Sequence, residues 1–344
     1  MEKGKVFKIH SDFYYVDYES DVFECKLKEV LKKQKQNVLV GDDVFFEKIN
    51  EINNQGIICQ VSNRKNELTR PKVANINQAM LVVALKEPEI NHTQINRFLC
   101  FFEYNKIKPI ICFNKSDLCS AREIEKNVDI YKNIGYETIV TSVQQNAGFR
   151  DLKNKLKNKT TVLSGVSGVG KSSIVNLLNK NLTLKTNKIS KKNERGTHTT
   201  RHLQMYNLEF EDAKESYIID TPGFSYLSFD FIMPNELDRL FVEFNQYKKN
   251  CKFNNCTHVD EQFCNIINNV GDNINISRYE SYLCFLNEAK KYKEKITYNG
   301  NKVELNYKTN QQKTYVKISG KKRSQSRRVQ NQSLKNKIEE ENEI

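Results

Sequence analysis

The chain has no apolar run approaching the roughly 18–20 residues that a membrane-spanning helix requires, so no membrane partner is expected. Nothing apolar and of signal-peptide length follows Met1-Glu2-Lys3-Gly4-Lys5. No export signal is therefore read, and a cytoplasmic location is expected. Without export, the nine cysteines read as thiols or metal ligands, not as disulfides. Acidic residues are the minority, 42 against 55 lysines and arginines, for a net charge of +13. That balance favours a polyanionic partner through counterion release. Part of the excess is a general richness in lysine and asparagine. No internal repeat is present. The 344 residues suffice for two or three domains, each with its own core.

Residues 1–68 alternate apolar and polar positions in short runs, such as Phe13-Tyr14-Tyr15-Val16-Asp17-Tyr18 and Val38-Leu39-Val40 followed by Val44-Phe45-Phe46. Gly and Asp/Asn clusters separate the runs. This pattern predicts a small antiparallel barrel, with an oligonucleotide-binding (OB) type favoured. Periodicity does not separate that type from other small barrels.

From about Arg70 the pattern changes. Ala79–Leu85, Pro109–Phe113, Glu137–Thr141, Thr161–Ser164 and Tyr217–Ile219 read as strands, the first two as continuous apolar runs buried on both faces. Thr93–Tyr104 reads as a helix. Strands alternating with helices predict a parallel, doubly wound sheet. The chemical motifs fall at the carboxyl ends of those strands, where such sheets bind ligands.

Gly165-Val166-Ser167-Gly168-Val169-Gly170-Lys171-Ser172 has the phosphate-loop pattern. Its glycines let backbone N–H groups close around phosphates, and the helix read over Ser173-Ile174-Val175-Asn176-Leu177-Leu178 adds positive potential at its start. Lys171 would reach the β- and γ-phosphates, and Ser172 would place its hydroxyl on Mg²⁺. Asn114-Lys115-Ser116-Asp117 fits guanine: Asp117 accepts the ring N–H and the exocyclic amine, a donor pair that adenine lacks. Asn114 supports the base edge and Lys115 covers the ring. Thr141 and Ser142, at the next strand end, suit the weaker loop that also meets the base. Asp220-Thr221-Pro222-Gly223 suits a switch that holds Mg²⁺ through Asp220 and senses the γ-phosphate through the Gly223 N–H. Thr200, with Thr199 second, is the expected Mg²⁺ threonine of the other switch. The order is guanine reader, phosphate loop, switches, whereas an ordinary GTPase starts with the phosphate loop. The chain therefore reads as a circularly permuted GTPase, with Mg²⁺ accompanying GTP. Residue 224 is Phe, where Ras-like enzymes carry the glutamine that orients water. His198 is the candidate group for hydrolysis, beside Lys171.

Residues 229–298 read as mostly helical around a loop, Cys251-x4-Cys256-x-His258-x5-Cys264. Three thiolates and one imidazole suit a closed tetrahedral site, one structural Zn²⁺ per chain. Beyond residue 298 the sequence is polar and basic and reads as a flexible tail, 299–344.

The permuted order occurs together with Arg70-Pro71-Lys72-Val73-Ala74-Asn75, His198-Thr199-Thr200, Asp220-Thr221-Pro222-Gly223-Phe224 and the Cys₃His cluster. In these features residues 1–295 resemble the RsgA (YjeQ) family of bacterial ribosome-associated GTPases. The resemblance implies a multi-domain chain. Its parts are an OB-type RNA-binding barrel (1–68), a permuted α/β P-loop GTPase domain (69–228) and a small, mostly helical zinc domain (229–298). It implies GTP hydrolysis to GDP and phosphate, stimulated by the small ribosomal subunit, and a late role in that subunit's maturation. Small-subunit rRNA, GTP and GDP are the implied partners, and His198 is implied to assist hydrolysis; a monomer is expected. The switch departs from the family habit of an arginine before the histidine and three threonines after it. Here Thr197 precedes His198, and Arg201 follows Thr199 and Thr200. The alternatives are a zinc- and RNA-binding module with a degenerate nucleotide site, or a permuted GTPase serving another RNA or ribosomal particle.

Overall fold

The computed structural model describes residues 1–19, 21–179, 203–213, 215–220, 227, 229, 232–298, 303–305 and 315–317. Two compact units divide the chain, Met1–Leu227 and Ser228–Ile344.

The first unit begins with β1 (Glu2–His10), β2 (Phe13–Tyr18), β3 (Asp21–Leu27), a short α1 (Glu29–Lys33), β4 (Asp43–Asn50) and β5 (Gln55–Val61). Their order is β1-β2-β3-β5-β4, and β4 returns to pair with β1. Five strands thus close on themselves, which removes both sheet edges. The alternation seen in the sequence is the reason: Val6, Val16, Phe23, Cys25, Val44, Phe46 and Ile58 all face one core. Register shifts between Val6 and Lys8 on β1, and twice along the β4–β5 pair, supply the local bends that closure needs. At the barrel's exit Asp42 is fully buried. It accepts Leu39 N–H at 2.7 Å and the Arg64 guanidinium through both oxygens at 2.8 and 2.9 Å. The hairpin β6 (Glu67–Thr69) and β7 (Lys72–Ala74) then leads out of the barrel.

Next come β8 (Gln78–Ala84), α2 (His92–Tyr104), β9 (Lys108–Asn114), α3 (Ala121–Lys132), β10 (Glu137–Val140), α4 (Phe149–Leu156), β11 (Thr160–Ser164), α5 (Lys171–Leu178), β12 (Gln204–Asn207) and β13 (Tyr217–Asp220). The sheet runs β10-β9-β8-β11-β13-β12, parallel except for β12. All seven residues of β8 are buried, as its continuous apolar run predicts for a strand covered on both faces. From β8 the chain winds outward through β9 and β10, then returns to place β11 on the other side of β8. The strand order reverses between β8 and β11, and a crevice for ligands opens at such a switch point. The phosphate loop leaves β11 there. The strand β12 is not signalled by the sequence: only Met205 and Tyr206 of its four residues are buried. It is held by β13 and, at Lys8 opposite Gln204, by β1. Barrel wall and nucleotide-binding sheet are therefore one continuous hydrogen-bonded surface.

The second unit is built of helical elements, as expected, and they are short in its first half. Its first half is a series of single turns at Pro234–Glu236, Asp238–Leu240, Lys248–Asn250 and Ile267–Asn269, with one short helix, α6 (Phe244–Tyr247). The long helix α7 (Ile276–Tyr298) gathers them. Phe229, Phe241, Phe244, Tyr282 and Phe285 stack into its core. Buried within it, Arg278 donates to both carboxylate oxygens of Glu243 at 2.7 and 2.8 Å and covers the Phe241 ring at 4.7 Å. Glu243→Ala would leave that guanidinium without its carboxylate partner. It is expected to lower the unit's unfolding free energy by about 3–5 kcal/mol, read from chemical denaturation. In the region expected to be a tail, Val303–Leu305 pairs antiparallel with Tyr315–Lys317. The apolar and β-branched residues of these two short runs suit pairing. No helix among the described residues is long and apolar enough to cross a membrane.

Candidate nucleotide and metal sites

The Gly165 loop folds as its composition demands. Gly165, Gly168 and Gly170 all have positive φ, at 138°, 83° and 99°. A Cβ on Gly170 would stand 2.3 Å from the Asn114 side-chain nitrogen, and one on Gly165 would stand 2.3 Å from the Val82 carbonyl oxygen. Lys171 opens α5 and turns back over the loop, donating to the carbonyls of Gly165 at 2.7 Å and Val166 at 2.9 Å. Burial lowers the Lys171 pKa, and the charge of Asp220 opposes that shift. Ser172 follows at the helix start, and Asp220 ends β13, the strand beside β11. Their hydroxyl and carboxylate are hard oxygen donors of the kind Mg²⁺ takes.

Asn114 sits at the carboxyl end of β9 and joins two motifs that lie far apart in the sequence. Its amide donates to the Val169 carbonyl of the phosphate loop at 2.8 Å. Its carbonyl accepts from the Thr141 hydroxyl at 3.2 Å. The single Thr141 proton is thus committed, so the Cys112 thiol, 3.3 Å away, is the donor to the Thr141 oxygen. Burial pushes that thiol up to about 11, which keeps it neutral and able to donate. A relay therefore runs from Cys112 through Thr141 and Asn114 to Val169. Sequence reasoning placed Thr141 and Asn114 near the base but gave Cys112 no role. Only the facing of β9 and β10 exposes it.

Asp117 accepts from the Ser142 hydroxyl, which in turn accepts Gln145 N–H at 3.0 Å. Ser116 N–H donates to the Thr141 carbonyl at 3.2 Å. Lys115 has φ of 61° and its ammonium bonds the Glu87 carbonyl. The two loops expected to meet the base are thereby tied to one another, with the Asp117 carboxylate held at their junction. Asp117→Asn replaces an acceptor with a donor facing the exocyclic amine of guanine. GTP affinity is expected to fall about a hundredfold while affinity for xanthosine triphosphate rises; equilibrium titration with both nucleotides measures this. His198, Thr199, Thr200 and Gly223 lie outside the described residues.

In the second unit Cys251, Cys256, His258 and Cys264 bring one donor atom each within 4.8 Å of one another. Tetrahedral zinc with Zn–S of about 2.3 Å and Zn–N of about 2.0 Å sets donor separations of roughly 3.5–3.8 Å. Cys251 Sγ lies 3.8 Å from His258 Nδ1 and 3.9 Å from Cys264 Sγ, and His258 Nδ1 lies 3.4 Å from Cys264 Sγ. The donors fit that ion. Burial pushes the Cys256 thiol up to about 12 and raises that of Cys264. Ionising such thiols together requires a neighbouring cation. With Nδ1 facing the sulfurs, the ring proton belongs on Nε2, on the side where the Asp238 carboxylate lies 3.7 Å away. Asp238 also accepts Lys248 at 3.1 Å. The loop backbone is pinned from α7, where Tyr279 donates to the His258 carbonyl at 2.8 Å and Tyr282 to the Thr257 carbonyl at 2.7 Å. Sequence spacing singled out the four residues that converge here. It gave no sign of Asp238 or the two tyrosines, which reach the loop only through packing.

Residues 3–58 match a model described as the RsgA N-terminal domain, and residues 61–230 one described as the RsgA GTPase. Residues 160–302 also match one described as a 50S ribosome-binding GTPase. The chain is 39% identical over 292 residues to the small ribosomal subunit biogenesis GTPase RsgA of Alkaliphilus metalliredigens, covering 85% of this chain and 99% of the relative. It is 40% identical over 297 residues to the protein of that name from Caldanaerobacter subterraneus, covering 86% and 98%. Among solved structures, YjeQ from Thermotoga maritima superposes with a TM-score of 0.70 at 33% identity, covering 84% of this chain and 98% of that one. YloQ, described as a circularly permuted GTPase, gives 0.67 at 33% identity, covering 85% and 96%. Likeness that spans both the barrel and the permuted nucleotide-binding sheet, at this identity, settles the relationship: the chain belongs to the RsgA GTPase family.

Proposed function

We propose that this protein hydrolyses GTP to GDP and phosphate as a switch on the small ribosomal subunit during its late maturation. The observation that carries the nucleotide half of this reading is the bond from Asn114 to Val169. It ties the guanine-reading strand end to the phosphate loop, so base and phosphates are read by one assembly. Asn114 to Asp117, Thr141 and Ser142 take the base. The backbone of Gly165 to Gly170, with Lys171, Ser172, Ser173 and Gly223, takes the phosphates. Ser172, Thr200 and Asp220 hold Mg²⁺, which when bound neutralises phosphate charge. His198 orients the attacking water, since Phe224 stands where a glutamine is usual.

The ribosomal half rests on the curated relatives' names and on charge. Residues 1–68 form the RNA-facing barrel, 69–228 the permuted GTPase domain, 229–298 the zinc domain and 299–344 the basic tail. On the barrel Lys8 lies over the Tyr15 ring at 5.3 Å, Lys26 over Phe13 at 5.0 Å and Lys48 over Tyr18 at 5.0 Å. Ammonium groups fixed over aromatic faces suit phosphates and bases alike. The protein acts in the cytoplasm as a monomer with one structural zinc. GTP turnover by purified protein tests the reading, measured alone, with purified small subunits and with large subunits. Strong stimulation by small subunits supports it. Stimulation by large subunits alone would instead favour the reading suggested by the 50S-type match over residues 160–302.

A further inference from the structure

Two phenylalanines of the second unit have no place in its core. Phe253 is 46% exposed and Phe263 is 67% exposed. Both flank metal donors: Phe253 lies between Cys251 and Cys256, and Phe263 directly precedes Cys264. The Lys252 ammonium stands 5.6 Å from the centroid of the Phe253 ring and 4.7 Å from that of Phe263. Lys252 N–H also donates to the Phe263 carbonyl at 3.4 Å. Two exposed rings therefore bracket one cation. Phe263 has φ of 62°, a left-handed conformation that a bulky residue adopts only when its surroundings impose it. The next residue, Cys264, is buried, and Asn265 is held by its bond to the Tyr247 carbonyl at 3.0 Å. The backbone is thus bent to bury a donor on one side and to turn a large apolar ring outward on the other.

The charges around these rings favour a polyanion. From Phe244 to Val259 the sequence carries Lys248, Lys249 and Lys252 and neither Asp nor Glu. Lys248 is paired with Asp238, while Lys249 and Lys252 are exposed. Asp260 is exposed nearby, and Glu261 is occupied by the backbone N–H groups of Thr257 and Val259 and the Thr257 hydroxyl.

We propose that Phe253, Lys252 and Phe263 form a stacking site for unpaired bases of RNA. Aromatic faces accept the face of any base, and the bracketed ammonium serves the adjoining phosphate. Bases within a duplex are already stacked, so the ligand is single-stranded or flipped-out nucleotides. This inference rests on the RNA-associated reading above and adds to it a contact made to bases, not to phosphates alone.

The chain has no tryptophan, so Phe263→Trp places its sole indole at this site. The experiment titrates zinc-loaded, full-length F263W with a short oligoadenylate and, separately, with an abasic ribose-phosphate oligomer of equal length. Emission is expected to be quenched by the first and not by the second. Phe253→Ala and Phe263→Ala are each expected to weaken oligoadenylate binding about tenfold without changing its salt dependence. Lys252→Ala is expected to reduce the salt slope by about one. One zinc per chain in every variant, and retained binding by Phe263→Tyr, would separate loss of the ring from loss of the fold. Equal quenching by the abasic oligomer, or unchanged affinity in both alanine variants, overturns the proposal. So does concentration-dependent self-association that the alanine variants abolish without any effect on RNA, which would give the surface to a second copy. Stimulation of wild-type turnover by small subunits, with no quenching in F263W, would sink this inference alone and leave the GTPase reading standing.

Discussion

Lys171→Ala is expected to lower GTP turnover by a factor of about 10²–10³, with subunit stimulation lost as well. In the structure the Lys171 ammonium is folded against the Gly165 and Val166 carbonyls at 2.7 and 2.9 Å. It is buried where the Asp220 carboxylate favours its charged form. Phosphate oxygens arriving over the loop add negative charge on the same side, so the fixed cation acts most strongly where charge gathers during phosphoryl transfer. Alanine removes that cation and also leaves the two carbonyls without their donor. Lys171→Arg is a useful companion: it keeps the charge, but a planar fork does not fit a point between two carbonyls of one loop, and recovery is expected to be poor. Turnover near the wild-type rate in the alanine variant would show that this loop does not carry the reaction.

Removal of the ion proposed for Cys251, Cys256, His258 and Cys264 is expected to unfold the first half of the second unit while guanine-nucleotide binding persists. Structural zinc sites contribute on the order of 10–16 kcal/mol of apparent binding free energy in small peptides, which rivals the whole stability of a small domain. The segment that bears the donors has single turns and one four-residue helix, too little regular structure to order itself. His258 and Phe263 both hold positive φ there, and their surroundings must impose it. The tyrosines of α7 help to fix the loop, yet two hydrogen bonds from Tyr279 and Tyr282 are worth only about 1 kcal/mol each. Limited proteolysis before and after chelation, with metal content and nucleotide affinity measured in parallel, reads the outcome. Cys264→Ser should reproduce it without a chelator. An unchanged cleavage pattern in metal-free protein would mean that packing on α7 suffices.

Much of the nucleotide-binding half was legible because its strands are buried on both faces. Gln78–Ala84 and Lys108–Asn114 carry apolar residues almost without interruption, and the motifs follow at their ends. The strand β12 was not legible, because its pairing with β13 and β1 leaves no apolar run. The second unit read as mostly helical around a cysteine loop, and α7 (Ile276–Tyr298) supplies that helix. What the sequence did not show is that the chain between Met233 and Val270 forms only single turns and one four-residue helix around the cysteines.

The residue order alone determined the permutation, and it singled out the groups proposed for guanine and phosphate and the Cys₃His set. Each depends on side-chain type and near-neighbour spacing. Only the tertiary structure decided how those groups act together. Closure of β4 on β1, the relay from Cys112 through Thr141 and Asn114 to Val169, and the bonds from Tyr279 and Tyr282 to the cysteine loop join residues remote in sequence. No local pattern encodes such contacts, because they exist only once the sheets and α7 have packed.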